Sequence, residues 1–165
     1  MKTILTTNTT WAQTKAMAAR LVAVLGAPHP DAPSLRSFPT PEAVASNEET
    51  LVAQVRLGYR NASVLKIGRD IASGALDLEA LKSGELSTPE LRKRLLSLPG
   101  VGPYAAATLL MILGRYDELA VDTELRAHVR RKYLGGAVET AEKQLREPYE
   151  KWGRWRYLAY WFDPR

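Results

Sequence analysis

The chain has 165 residues and a formal charge of +5, from 23 basic and 18 acidic side chains, with no cysteine and two histidines. That length suits one domain burying roughly 70% of its unfolded surface. The lack of cysteine excludes disulfides, thiolate zinc sites, cysteine-ligated iron–sulfur clusters and a cysteine nucleophile, and His29 and His128 alone argue against a histidine-built metal site. No run of about 20 apolar residues exists. Met1-Lys2-Thr3-Ile4-Leu5 is too short an apolar start for a signal peptide, so a cytoplasmic protein without a membrane span is expected.

In chain order, helix signals dominate. Ile4 to Leu25 reads as one alanine-rich amphipathic helix with Leu5, Trp11, Met17, Leu21 and Leu25 as core, stopped by Gly26 and Pro28. Residues 27–39 read as an irregular connector, because each proline removes a donor and fixes φ. Thr40-Pro41-Glu42 is a helix start, with Thr40 as cap and Pro41 in the first turn. Further helices are expected over about 48–56, broken by Gly58, and over Asn61 to Ser73, ended by Gly74. Thr88-Pro89-Glu90 repeats the cap-plus-proline start and leads into Leu91–Leu98. Gly102 and Pro103 open a helix from Tyr104 to Leu113. Asp122 is a suitable cap for a helix from Thr123 to about Leu134, ended by Gly135-Gly136. Helices over about 138–148 and 152–162 complete an all-α chain with no alternating strand pattern of useful length.

Charge and aromatics are unevenly spread. Residues 1–123 carry 13 basic and 12 acidic groups, net +1, whereas residues 124–165 carry 10 and 6, net +4. Seven of the 13 aromatic residues lie between Tyr149 and Phe162. Cations interleaved with aromatic rings suit a polyanion whose bases can stack, although an aromatic core helix with a charged outer face gives the same pattern.

The chemistry concentrates at two places. Leu98-Pro99-Gly100-Val101-Gly102-Pro103-Tyr104 is a tight turn between two helices, and its glycines carry no side chain to block approach. Backbone N–H groups at Gly100, Gly102 and Tyr104 would then point outward at a helix start, a site for an anion such as a phosphate. An ordinary helical hairpin has the same sequence grammar. Asp122, 20 positions beyond Gly102, caps the following helix. Helix-end N–H groups favour its ionised form, and an ionised carboxylate beside a sugar stabilises an oxocarbenium-like transition state.

Leu98-Pro99-Gly100-Val101-Gly102-Pro103-Tyr104-Ala105-Ala106, followed by Ala120-Val121-Asp122-Thr123, resembles the helix-hairpin-helix, glycine/proline–aspartate superfamily of DNA glycosylases. Ile4 to Thr10 with Met17, Arg20 and Leu21 looks like that superfamily's first helix, and Leu57-Gly58-Tyr59-Arg60 is similar to the Gly-Tyr-Arg element of its 8-oxoguanine branch. Trp155 to Phe162 looks like that branch's closing helix. The resemblance implies a single domain, 1–165, folded as a two-lobed helical bundle, with one lobe over 28–121 and the other over 1–27 plus 122–165.

It also implies roles. Gly100, Val101, Gly102 and Tyr104 would lie at a DNA phosphate, and carbonyls of Leu96, Leu98 and Val101 would hold a monovalent cation, K+ or Na+, beside it. Asp122 would be the catalytic carboxylate. Asn8 would fill the gap left by the flipped nucleotide, Tyr59 would wedge into the stack, and Arg60 would reach the orphaned base. Tyr104, Tyr157, Trp161 and Trp155 would form the base pocket, and Arg126 would offset Glu124, which stands where several relatives have a phosphate-contacting histidine.

Departures shape the expected activity. Bifunctional relatives place a lysine where Tyr104 stands, so base release without strand cleavage is expected, with no cofactor and no iron–sulfur cluster. Gln13 and Tyr157 stand where the 8-oxoguanine branch has arginine and glutamine, and the N-terminal β-domain of the alkylpurine and 8-oxoguanine branches has no counterpart ahead of the first helix. An electron-rich pocket favours cationic alkylated purines, of the 3-methyladenine and 7-methylguanine type. The expectation is a monomer acting on double-stranded DNA. The alternatives are a glycosylase for 8-oxoguanine or for T or U opposite G, a non-enzymatic DNA-binding hairpin module, and a helical protein–protein adaptor.

Overall fold

A computed structural model describes residues 1–164. The chain opens on a 3-10 turn, Lys2–Thr6, and α1 (Trp11–Leu25) begins only after Thr10, so the single helix expected from Ile4 is divided. The cause is a reciprocal capping box: Gln13 N donates to Thr10 Oγ1 (3.2 Å) and Thr10 N to Gln13 Oε1 (3.1 Å). Between the two helices Asn8 adopts the left-handed region at φ 46°. The break leaves Trp11 67% exposed instead of in the core, whereas Leu5, Met17 and Leu21 are buried.

The proline-rich connector is more regular than expected. β1 (Pro28–His29) and β2 (Ala32–Arg36) form a short antiparallel hairpin, pairing Pro28 with Arg36 and His29 with Ala32. Nearly all of its residues are exposed, so no apolar alternation marks it in the sequence. α2 (Pro41–Ala45) starts on Thr40, whose hydroxyl accepts from Ala43 N at 3.2 Å. α3 (Glu48–Thr50) passes into a π-helical turn, Leu51–Val55, that closes at Arg56 in the left-handed region, ahead of Gly58. α4 (Arg60–Ala72) follows.

α5 (Thr88–Leu96) is capped by Ser87, one residue earlier than expected, because Ser87 and Glu90 complete the capping box. α6 (Pro103–Ile112) and α7 (Thr123–Tyr133) begin where Gly102 and Asp122 cap them. α8 (Glu142–Glu150) starts later than expected, where Ala141 N donates to Gln144 Oε1 (3.0 Å). A 3-10 turn, Gly153–Trp155, precedes α9 (Arg156–Trp161).

Two compact units result, with limits that differ from the expected lobes at 28–121 and 1–27 plus 122–165. The first comprises Met1–Ser83 with Leu98–Gly100, and the second Gly84–Ser97 with Val101 onward. Within the first, α1 packs on the 3-10 and π turns and α2 packs on α4. Leu5, Leu21, Val44, Leu51, Val55 and Val64 are buried there, which keeps the N-terminal helices with the residues that follow them. Within the second, α5 packs on α6, α7 on α8 and α8 on α9, around Leu119, Leu125, Val129, Leu145, Tyr149, Tyr157 and Tyr160. Among the described residues no helix is long and apolar enough to cross a membrane.

Candidate functional site

The hairpin turn depends on its two glycines in different ways. Gly100 sits at φ +75°, and a Cβ there would lie 2.8 Å from Ser63 Cβ and Oγ and 3.2 Å from Ile4. Backbone conformation and space both demand glycine. Gly102 is extended, at φ −93° and ψ −175°, and a Cβ on it would meet nothing within 4 Å. The chain itself has no need of glycine at 102. Its effect is to leave the start of α6 open.

That start is well supplied with free groups. Ala106 N donates to the Gly102 carbonyl at 2.9 Å, but the N–H groups of Gly100, Gly102 and Tyr104 donate to no described residue. Nor do the carbonyls of Leu96, Leu98 and Val101 accept a hydrogen bond from any described residue. Free N–H groups at a helix start attract an anion, and carbonyl oxygens without a donor suit a hard cation.

Asp122 lies half-buried at the head of α7, where its Oδ1 accepts from Leu125 N at 2.8 Å. Its other carboxylate oxygen has no hydrogen bond from a described residue, and the carboxylate takes part in no ion pair among them. Asp122 is thus a cap on one side and unengaged on the other.

The nearest predicted partners gather at Tyr157. Burial pushes the Tyr157 phenol up, against hydrogen bonds with Thr108 and Trp161, and charge on Tyr104 and Asp122 adds to the rise. The charges of Tyr104 and Asp122 are thus felt at the Tyr157 hydroxyl, and Tyr104 packs against the buried cluster that holds Tyr157. Tyr157 and Trp161 are one helical turn apart on α9 and share its face. Tyr157 is buried, whereas Trp161 is 57% exposed. Thr108, whose hydroxyl donates to the Tyr104 carbonyl at 3.0 Å, joins this group without having been singled out from the sequence.

Trp155 does not belong to the group. It stacks on Tyr116, with centroids 5.8 Å apart and planes at 24°. The 3-10 turn before α9 puts it out of the helical register that carries Tyr157 and Trp161. Arg126 is half-buried on α7, where its charge reaches Glu142.

In the first unit Asn8, Tyr59 and Arg60 are brought together. The Tyr59 hydroxyl donates to the Thr7 carbonyl at 3.3 Å, and the Arg60 guanidinium lies 4.4 Å from the Tyr59 ring centroid. The guanidinium donates to the carbonyls of Thr7 and Asn8, and Arg60 is only 7% exposed. That is where the structure places the residue expected to reach an orphaned base. The left-handed turn at Asn8 leaves those carbonyls outside any helix, and Arg60 satisfies them from within the unit. Asn8 itself is exposed at the tip of the turn.

One cluster escaped the sequence reading. Asp163 accepts from His128 Nε2 (2.6 Å), Lys132 Nζ (2.6 Å), and the Tyr133 and Tyr149 hydroxyls (2.9 Å each). Burial works against its charge, but those four hydrogen bonds outweigh it and hold the carboxyl well below the usual carboxylate range. The partners are 14 to 35 positions away, so no local pattern announces them.

A helical bundle with a glycine hairpin of free N–H groups and a capping aspartate beyond it defines a helix-hairpin-helix protein. The chain belongs to the HhH-GPD superfamily of base excision DNA repair proteins, whose profile matches residues 1–154. Among solved structures it is similar to the 8-oxoguanine glycosylase/lyase of Clostridium acetobutylicum in complex with dsDNA containing cytosine opposite 8-oxoG (23% identity, TM-score 0.79, 96% of this chain and 54% of that one). It is also similar to MBOgg1 in complex with a low affinity DNA ligand (26%, TM-score 0.80, 96% and 54%). A third likeness is to the 3-methyladenine DNA glycosylase of Archaeoglobus fulgidus (26%, TM-score 0.72, 98% and 57%). The chain spans little more than half the length of these proteins. No curated protein matches it.

Proposed function

We propose that the chain is a monofunctional DNA glycosylase of base excision repair. It acts on double-stranded DNA, flips out a damaged base and hydrolyses its N-glycosidic bond. The observation that carries the reading is Asp122, with one oxygen fixed by Leu125 N and the other unengaged, its charge felt at the Tyr157 hydroxyl on α9.

The N–H groups of Gly100, Gly102 and Tyr104 would hold a phosphate, and the bare carbonyls of Leu96, Leu98 and Val101 would hold K+ or Na+, whose charge supports that phosphate. Asn8 and Tyr59 would occupy the space left by the extruded nucleotide, offsetting the few kcal/mol that unstacking costs. With the C1′–N bond stretched, positive charge grows on the deoxyribose. The unengaged Asp122 oxygen stabilises it and orients the water that attacks C1′ as the base departs. No strong nucleophile is required.

Tyr104 carries no amine and so forms no Schiff base, which leaves the DNA strand intact. The proposed substrates are purines alkylated at N3 or N7. Such bases are cationic leaving groups, and a cation over an indole face such as that of Trp161 gains about 0.5–2 kcal/mol. The rivals are 8-oxoguanine and T or U opposite G.

A panel of duplexes containing 7-methylguanine, 3-methyladenine, 8-oxoguanine or a T:G pair, scored for abasic sites with and without alkali, tests all three statements. Expected are breaks only after alkali, and fastest release of the alkylated purines. Faster release of 8-oxoguanine or thymine would overturn the substrate assignment, and a borohydride-trapped adduct would overturn the monofunctional one. A DNA-binding module without catalysis would release nothing.

A further inference from the structure

Catalysis as proposed draws on Tyr157 and Trp161 and leaves Trp152, Trp155 and Phe162 without a task. These three rings line a groove of about 590 Å³ in the second unit, bounded by the end of α8, the turn after it, and Leu158 on α9. Phe162 lies one position past Trp161, turned about 100° round the helix from it, and Leu158 stands between the two directions. Trp152 is 53% and Phe162 81% exposed. A volume of this size is ordinary for a ligand site.

The lining carries one cation, Lys151, and one carboxylate, Asp163, which Lys132 already pairs, while Arg154 stands just outside it over Trp155. Lys151 Nζ stands 5.9 Å from the Trp152 centroid, and the Arg154 guanidinium 4.6 Å from that of Trp155. Neither cation forms an ion pair with a described residue, whereas Lys132, over Tyr133, is committed to Asp163. Exposed rings beside unpaired cations complement a strand whose phosphates are anionic and whose bases have open π-faces. A purely apolar partner would leave both charges desolvated without compensation.

We propose that this groove binds unpaired nucleotides of single-stranded DNA, with Trp152 and Phe162 taking bases and Lys151 and Arg154 taking phosphates. The assignment is independent of Asp122 and of base release.

The test is fluorescence anisotropy of labelled oligo(dT) of 12 nucleotides over a salt series, with oligo(rU) of the same length and undamaged duplex alongside. Trp152→Ala and Phe162→Ala should each weaken oligo(dT) binding about five- to hundredfold, the range for removing a base-stacking ring. Trp152→Phe should restore most of the loss. Lys151→Ala with Arg154→Ala should flatten the slope of log Kd against log salt by about 1.4, at about 0.7 for each single-strand phosphate. Asp122→Asn should bind oligo(dT) as the unaltered chain does, which separates this proposal from the catalytic one. Thermal melts confirm that each variant is folded.

The proposal is overturned if the unaltered chain fails to bind oligo(dT), if both alanine variants bind it normally, or if oligo(rU) binds more tightly. Concentration-dependent self-association abolished by Phe162→Ala, with oligo(dT) binding unchanged, would assign the groove to a second copy of the chain instead.

Discussion

Gly100 and Gly102 look equivalent as letters and differ in what they do. Gly100→Ala forces a side chain into the left-handed region and onto Ser63, so a loss of about 1–3 kcal/mol in stability is expected, read as a lowered denaturant midpoint. Gly102→Ala meets neither obstacle. Its midpoint should stay within about 0.5 kcal/mol of the unaltered chain, while duplex affinity falls because the new methyl group crowds the free N–H groups of α6. At Asp122 the substitution to asparagine keeps a good cap, so stability should hold. Base release should fall by about a hundredfold or more and duplex binding survive, measured by single-turnover excision and anisotropy. These positions were legible in the sequence because their roles are local: a turn, a cap and a helix start. Arg60 was not, since its task depends on the left-handed turn at Asn8, more than 50 positions away. Nor was the stacking of Trp155 on Tyr116, which the 3-10 turn ahead of α9 carries.

Elements were legible wherever punctuation carried them. Thr40-Pro41, Gly102-Pro103 and Asp122 start helices where their chemistry says. What escaped was structure held by backbone pairing alone, such as the β1–β2 hairpin, and by long-range ties. The tie at Asp163 is the strongest example, since it fastens the end of α9 to His128, Lys132 and Tyr133 on α7 and to Tyr149 on α8. α7 carries Asp122 at its head and α9 carries Tyr157 and Trp161, so this clasp keeps the proposed carboxylate and pocket in one frame. Its carboxyl is held below the usual range in the folded chain, so it binds a proton less readily there than when unfolded. The stability it supplies is therefore complete above the unfolded value near 4 and drains away as pH falls below that value toward the folded one. Asp163→Asn should lower the midpoint at pH 7 and show a shallower loss between about pH 5 and pH 2 than the unaltered chain. Chemical denaturation across that pH range is the measurement, and parallel curves would remove the clasp from the account.

Along the chain, the excess of positive charge and the proposed phosphate anchor are separate. The hairpin offers a phosphate only neutral N–H groups, whereas the excess of positive charge, net +4, lies in residues 124–165. Counterions are released by lysine and arginine that neutralise phosphates, not by amides. The two contributions should therefore part company in a salt titration of duplex binding made with Asp122→Asn, which removes turnover. Affinity should fall steeply with salt. Gly102→Ala added to that background should shift the whole line to weaker binding without changing its slope, because it disturbs neutral donors. Arg126→Ala should weaken binding and also flatten the slope by about 0.9, the value for one duplex phosphate. Identical slopes in all three would mean that Arg126 faces no phosphate and that its charge serves Glu142 alone. A flat line throughout would remove the phosphate anchor itself, since a chain that meets a protein surface instead of a polyanion has no condensed counterions to release.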